Sequence, residues 1–308
     1  MNEGLDFNKP VNKPEQKQNS FEEQWNNPKH VKVIGSGKRG LIGEYFDVHD
    51  ISPEKPKTEV PTVIALGWGA IPESRKKHVK YLVENGRRVI SSDTPHGISA
   101  EGKEGYPGIE IEKMTALIET LRASGINIKE DGTATGQIDL VAHSEGAIFS
   151  ILLAYFYPQL VRNLVLENPA GLAGKTNIGI FTMRWLRQMK QQKLKEYKEK
   201  AAKPENYLSE VLNRNFSKAI ESVSAISAAD MREMLKEIKA KGVGVAYITT
   251  TEDKFFPSEK LTKGLTGEYA DKVYVRDGTH DSTYYRPEEF AGLEDKAIDD
   301  LEAKKEKK

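Results

Sequence analysis

Residues 138–150 read IDLVAHSEGAIFS, in which a short apolar run leads into Ala-His-Ser-Glu-Gly and a second apolar run follows. The first run has the length and β-branched content of a buried strand, and the second is long enough for a helix. Only His143, Ser144 and Glu145 connect the two runs, so the chain has to turn sharply. We therefore expect Ser144 at the carboxyl end of a strand, which is the edge where parallel sheets bind ligands.

Gly146 follows this turn at a position where a helix and a strand would cross closely, and a larger side chain would collide there. The resulting pattern, A-x-S-x-G with Ala142 in the first position, is similar to the G-x-S-x-G nucleophile elbow. Five residues alone are a weak signal, because a serine at a strand-to-helix junction can also serve as a helix N-cap. Whether the sequence also supplies a base and an acid for Ser144 distinguishes the two interpretations.

The rest of the chain predicts the sheet to which this turn belongs. Five further short runs, each bounded by turn residues, alternate with helical stretches; they are PTVIALG (61–67), RRVISSD (87–93), VRNLVLE (161–167), VGVAYITT (243–250) and DKVYVRD (271–277). This alternation predicts crossover connections, and hence an α/β fold with a mostly parallel sheet covered by helices on both faces. Residues 30–50 predict a hairpin at one edge, which brings the sheet to eight strands.

The alternation stops between Glu167 and Gly242, where only helical patterns occur. Because this segment is too long for a simple connection, we predict a helical cap or lid insertion at 172–235. We predict that the rest of the chain divides into a flexible polar leader at 1–29, the α/β core at 30–171 and 236–303, and a charged tail at 304–308.

The insertion carries an apolar stripe, with Phe181, Trp185 and Met189 spaced at i, i+4 and i+8 and Lys and Arg around them. Such a stripe indicates a helix that packs against the domain. It also fits a lid that lines a substrate pocket or touches lipid, where basic residues would suit an anionic surface. The two interpretations are compatible.

Composition excludes several classes of function. Lys+Arg and Asp+Glu both number 46, so no global field steers the chain toward nucleic acid. The absence of cysteine excludes disulfides and thiolate chemistry. The sequence also contains no H-E-x-x-H pattern, which would have predicted a metal site. The stretch GLAGKT is not a phosphate loop, because Pro169 stands where its first glycine should be. We expect no metal and no cofactor, and the oligomeric state stays unpredicted.

No run of about 18 apolar residues occurs, so a spanning helix is not expected. The first 29 residues also lack the apolar core of a secretory signal. These features predict a cytoplasmic location, with secretion after processing left open.

An activated serine needs a base and an acid, and the chain offers both at predicted strand ends. Asp253 follows the strand VGVAYITT, and His280 follows DKVYVRD, so that both reach the sheet edge of Ser144. Glu252, adjacent to Asp253, and Glu167, at the end of an earlier strand, are alternative acids. The order is serine, acid, histidine.

This order at these strand ends resembles the α/β-hydrolase fold family over nearly all of residues 30–303. TVIALGWGA (62–70) is similar to the family's strand and HG loop, with Leu66 in place of the usual histidine. EDKFFP is similar to its acid loop, and VISSDTPHGIS (89–99) to its Asp-containing stretch. The predicted insertion lies where the family's cap domains usually lie.

The resemblance implies a serine hydrolase, with Ser144 as nucleophile, His280 as base and Asp253 as its partner. It implies an oxyanion hole of two backbone N–H groups, those of Trp68 and Glu145, and gives His143 a role in shaping the elbow. A small-molecule carboxylic ester with an apolar part is the expected substrate, and thioesters, lactones, amides and carbon–carbon bonds beside a ketone stay open for this triad. Apolar residues predicted near the site are Trp68, Ile71, Phe181, Trp185, Phe255 and Phe256. The alternative is a ligand-binding protein or receptor that keeps this fold with little turnover.

Overall fold

The computed structural model describes residues 20–37, 40–93, 107–129, 132–199, 216–262 and 267–306. The strands in this part of the chain form one eight-stranded sheet in the order β1-β2-β4-β3-β5-β6-β7-β8. Their bounds are β1 Lys29–Gly37, β2 Gly40–Ile51, β3 Thr62–Ala65, β4 Val89–Ser92, β5 Ile138–His143, β6 Val161–Glu167, β7 Gly244–Thr250 and β8 Lys272–Arg276. All six strands predicted for the parallel part are present.

The predicted edge hairpin is confirmed. Strands β1 and β2 pair antiparallel, and β2 pairs antiparallel with β4. Every later neighbour pair, from β4–β3 to β7–β8, is parallel. The carboxyl ends of β3, β5, β6, β7 and β8 therefore lie at one edge.

Helices cover the sheet, and the residues between Pro72 and Arg75 form a 3₁₀ turn. In chain order the α-helices of the described residues are α1 Phe21–Trp25, α2 Lys76–Glu84, α3 Gly108–Ala123, α4 Gly146–Phe156, α5 Ile178–Glu199, α6 Phe216–Ala228, α7 Arg232–Ala240, α8 Ser258–Thr262, α9 Ser282–Tyr285 and α10 Pro287–Lys305.

The helices form two layers because the central strands present apolar side chains to both faces. Helices α3, α4 and α7 share one core with the sheet, where Leu121, Ile151 and Leu235 are fully buried. Helices α2 and α10 pack on the opposite face, where Leu82 and Phe290 are fully buried. Strands β3, β5 and β7 are buried along their whole length, as expected of a parallel sheet covered on both sides.

Packing begins before residue 30. Within the predicted leader, Ser20 caps α1 through a capping box with Glu23. Trp25 is buried, and its ring stacks on His49 at 4.1 Å between centroids. Two apolar residues in this otherwise polar stretch, Phe21 and Trp25, pack on the core beside α2. The described residues 20–29 are therefore part of the packed structure.

The predicted insertion contains α5, α6 and the start of α7. Phe181 of α5 is buried in the first core, and Ile226 of α6 is buried with it. Helix α7 packs its apolar residues Leu235 and Ile238 on the same core. Among the described residues, no helix is long and apolar enough to cross a membrane.

Candidate active site

Ser144 lies at the sharp turn between β5 and α4, with a backbone φ of 54° in the left-handed region. Its amide donates to Glu167 O at 3.0 Å, and its carbonyl accepts from Ala170 N at 3.0 Å. A Cβ on Gly146 would lie 2.5 Å from Ala65 O, so a glycine is required where α4 crosses β3. The neighbouring elements thus over-determine a strained serine conformation, which is typical of functional sites.

Three side chains meet at this edge of the sheet. Ser144 Oγ lies 2.9 Å from His280 Nε2, and His280 Nδ1 lies 2.8 Å from Asp253 Oδ2. The other carboxylate oxygen, Oδ1, accepts from the amides of Phe255 at 2.7 Å and Phe256 at 3.0 Å. All three side chains are buried. Ser144 does not cap α4, whose N-cap residue is Glu145, so the interpretation of this serine as a helix cap is wrong.

The electrostatics of His280 follow from this geometry. Burial alone would lower its pKa, but the charge of Asp253 and the hydrogen bond to it outweigh burial, with Asp281 and Glu167 adding to them. The pKa of His280 is consequently raised above its ordinary value of 6.5. The imidazole is therefore a stronger base than a free histidine.

The alternative acids lie elsewhere. Glu167 is fully buried and pairs with Arg75 Nη2 at 2.9 Å. Glu252 is half-buried, and its amide donates to Gly278 O at 2.8 Å. Asp253 is thus the carboxylate that hydrogen-bonds to the His280 ring.

Asn168 holds the histidine loop in place, a role that the sequence did not predict. Its Nδ2 donates to His280 O at 2.9 Å, and its Oδ1 accepts from Thr250 N at 3.0 Å. Thr250 Oγ1 in turn donates to Thr279 O at 3.0 Å. The backbone φ of Asn168 is 40°, a region that asparagine tolerates better than most residues. An asparagine directly after a strand end was the available signal.

His143 packs against His280, with 4.9 Å between the ring centroids. Its Nε2 donates to His280 O at 3.1 Å, and its Nδ1 accepts from the Tyr284 hydroxyl at 3.2 Å. Burial first, and then the nearby His280, lower its pKa well below 6.5, so this ring is neutral. His143, His280 and Asp281 place possible ligand atoms within 4.8 Å of one another. Both ring nitrogens of each histidine already have hydrogen-bond partners, which leaves the group without an open ligand set.

A buried polar network supports this arrangement from the α2 and α10 side. Arg75 contacts Glu167, Thr283 and His78, and its guanidinium lies 4.9 Å from the centre of the Tyr284 ring. His78 Nε2 lies 2.5 Å from a carboxylate oxygen of Glu294. The network joins the end of β6 to the helices behind the His280 loop.

A second buried cluster lies beside the elbow. Lys113 Nζ of α3 is 2.5 Å from Glu145 Oε1, 3.1 Å from Ser222 Oγ of α6 and 4.0 Å from Glu110. Burial, together with the nearby Glu145, raises the pKa of Glu110 well above 4.5. Burial alone would lower the pKa of Lys113, but its ion pair with Glu145 outweighs burial and raises that pKa, so Lys113 stays charged. The cluster ties Glu145, the N-cap residue of α4, to α3 and α6.

This cluster yields a stability prediction. The single change Lys113→Met leaves the Glu145 carboxylate buried without its cation, and we expect the free energy of unfolding to fall by about 3–5 kcal/mol. The double change Lys113→Met/Glu145→Gln removes both charges and should recover most of that loss. Urea unfolding measures both. A double variant no more stable than Lys113→Met would contradict the pairing.

The apolar residues predicted near the site divide into three groups. Phe255 and Phe256 flank the His280 ring at 4.8 and 5.5 Å, and Phe181 lies 5.5 Å from Phe255. Trp68 packs partly buried against the first core, and Ile71 begins the 3₁₀ turn half-buried. Trp185 belongs to α5, but its side chain lies outside the described residues.

The loop after β3 passes close to the serine. A Cβ on Gly67 would lie 2.8 Å from His143 Nδ1 and 3.1 Å from Ser144 Cβ. Only a glycine allows this approach, and it brings the start of the loop, just before Trp68, against the elbow. The amide of Glu145 begins α4 on the other side of Ser144.

Solved structures share this architecture. A hydrolase from Pseudomonas aeruginosa PA01 is 17% identical, with a TM-score of 0.59 over 88% of this chain and 97% of that one. An esterase from Exiguobacterium antarcticum is 16% identical, with a TM-score of 0.60 over 88% and 99% of the two chains. MGS-MChE2, an α/β-hydrolase enzyme from a lagoon-sediment metagenome, is 18% identical, with a TM-score of 0.57 over 89% and 100%.

No protein-family model and no curated protein matches the sequence. The evidence of relationship is therefore structural, and at these identities it concerns architecture. It agrees with the mostly parallel eight-stranded sheet. The chain has the α/β-hydrolase fold.

Proposed function

We propose that this protein is a serine hydrolase that cleaves a carboxylic ester through Ser144, His280 and Asp253. The observation that carries the proposal is the continuous hydrogen-bonded series from Ser144 Oγ through His280 to Asp253, at 2.9 and 2.8 Å. Nucleophile, base and orienting acid at these distances are what acyl transfer requires. Two of the structural neighbours, a hydrolase and an esterase, agree with this chemistry.

In the proposed mechanism, His280 Nε2 takes the proton of Ser144 as Oγ attacks the ester carbonyl carbon. Asp253 accepts the Nδ1–H of the ring, which fixes the tautomer and stabilises the imidazolium that forms. The imidazolium then gives its proton to the leaving alcohol, and an acyl-serine remains. Water, deprotonated by His280, then attacks the acyl carbon, and the imidazolium returns that proton to Ser144 Oγ as the bond to the acyl group breaks and the carboxylic acid leaves.

The carbonyl oxygen becomes negatively charged in each tetrahedral intermediate and needs fixed donors. We assign the oxyanion hole to two backbone N–H groups, that of Glu145, which follows Ser144, and that of Trp68, which follows the glycine that approaches the elbow. The ion pair of the Glu145 side chain with Lys113 holds its backbone in place. One such donor typically contributes about 3 kcal/mol of transition-state stabilisation.

The phenylalanines around His280 favour a substrate with an apolar part. Phe255 and Phe256 are largely buried beside the imidazole, and Phe181 of α5 extends the same aromatic group. An alkyl or aryl acyl chain would pack against these rings and exclude water. The direct test of the proposed activity is turnover of a series of p-nitrophenyl esters of increasing acyl length. Hydrolysis by the parent supports it, and no hydrolysis of any member by the folded chain would favour a ligand-binding protein on this scaffold.

The pH dependence follows from His280. Only the neutral imidazole can accept the serine proton, and Asp253 raises the pKa of His280 above 6.5. We therefore expect kcat/KM to fall on the acidic side with a midpoint above 6.5. The sign for stability is opposite: the protonated ring stabilises the fold below its unfolded pKa, and this contribution is lost as the pH rises through the folded pKa. A pH–rate profile measures the first effect, and a midpoint below 6 would contradict it.

A further inference from the structure

Exposed apolar side chains are concentrated on the predicted insertion. Among the described side chains, six large apolar ones are exposed, and five of these lie on α5 and α6: Ile178 at 46%, Ile180 at 52%, Met183 at 52%, Leu186 at 51% and Ile220 at 48%. The sixth, Val275 at 42%, lies on the edge strand β8. Apolar side chains grouped in this way mark an interaction surface.

Helix α5 is strongly basic. Residues 178–199 contain six Lys and Arg and two Glu, a net charge of +4, whereas the whole chain has a net charge of zero. Both acids, Glu196 and Glu199, lie at the end of the helix, so its first four turns carry cations alone. Arg187 and Lys190 are exposed on the outer side, between the apolar residues.

The inner side of α5 contacts the proposed active site. Phe181 is buried against Phe255, whose ring lies 4.8 Å from that of His280. Gln188, two turns later, is fully buried and accepts from the Lys254 amide at 3.2 Å. One helix therefore has an outer face that is apolar and basic, and an inner face that packs on the loop of Asp253.

We propose that the outer face of α5, together with Ile220 of α6, docks the protein on an anionic lipid surface. An amphipathic helix with apolar side chains and interspersed Lys and Arg binds such a surface through two effects, insertion of the apolar groups and attraction to the headgroups. The substrate would then be an ester held in the lipid surface, and this substrate class rests on the proposed function.

The test is flotation of the full-length chain with vesicles, which does not depend on catalysis. We expect binding to vesicles of phosphatidylcholine and phosphatidylserine to exceed binding to pure phosphatidylcholine by roughly tenfold, and to weaken in high salt. Met183→Glu/Leu186→Glu should abolish binding, and Arg187→Gln/Lys190→Gln should reduce it. Val275→Glu is the matched control, an exposed apolar residue on another element, and should bind as the parent does.

Three results would overturn the docking surface. They are equal binding to both kinds of vesicle, retained binding by Met183→Glu/Leu186→Glu, and absence of vesicle binding with self-association that this double variant removes. The last result would assign the face to contacts between copies of the chain. Ser144→Ala should bind vesicles as the parent does. Vesicle binding therefore tests the docking surface, and ester hydrolysis tests the proposed function, independently of each other.

Discussion

Replacing Ser144 by alanine should lower kcat for a p-nitrophenyl ester by about 10⁴- to 10⁶-fold, because the hydroxyl that His280 Nε2 contacts at 2.9 Å is removed. His280→Ala should produce a loss of similar size, since the serine then lacks its base. The double variant should be no worse than either single variant, because the two groups act as one unit. Stopped assays on purified variants measure all three rates.

The matched control is Ser150→Ala, which removes a buried hydroxyl from the same helix that begins beside Ser144. It should leave kcat within about threefold of the parent, since Ser150 lies away from the sheet edge. Circular dichroism of each variant establishes that the fold is intact. If Ser144→Ala kept a tenth of the parent's activity, the serine could not be the nucleophile.

The second large effect concerns the acid. Asp253→Asn should lower kcat by about 10³- to 10⁴-fold, because the amide no longer stabilises the imidazolium and can favour the wrong tautomer. It should also move the acidic limb of the pH profile downward, because the main interaction that raises the pKa of His280 is lost. A change in kcat together with this pH shift separates a role on His280 from simple loss of stability.

The alternative acids provide the controls for this experiment. Glu252→Gln should change kcat by less than about threefold, since the two ring nitrogens of His280 are already bonded to Asp253 and Ser144. Glu167→Gln should act mainly on stability, because it leaves Arg75 buried without its partner at 2.9 Å. If Glu167→Gln shifted the pH profile more than Asp253→Asn, the acid would have to be reassigned.

The fold was predictable because the central strands are short, apolar and separated by helical patterns. All six predicted parallel-sheet strands are present, and the elbow follows from three residues between a strand and a helix. The convergence of Ser144, Asp253 and His280 was also predictable, since parallel strands place their carboxyl ends at one edge. In each case, local pattern and tertiary arrangement agree.

Other features depend on contacts that no local pattern encodes. Lys113 and Glu110 are charged residues of α3, yet both are buried because Glu145 and Ser222 approach from other elements. Asn168 supports His280 across 112 residues of sequence. Trp25 is buried within a stretch whose polar composition indicates a flexible leader. The roles of such residues could not be predicted from the sequence, because their contacts are made by residues of other elements.

The central claim is that Ser144 is an activated nucleophile, and covalent labelling tests it most directly. The full-length chain is incubated with a fluorophosphonate, its intact mass is measured, and the modified peptide is mapped. The account predicts a single adduct on Ser144, reduced in Asp253→Asn and absent from Ser144→Ala. A folded parent that gains no adduct, or gains it on another residue, would contradict the account.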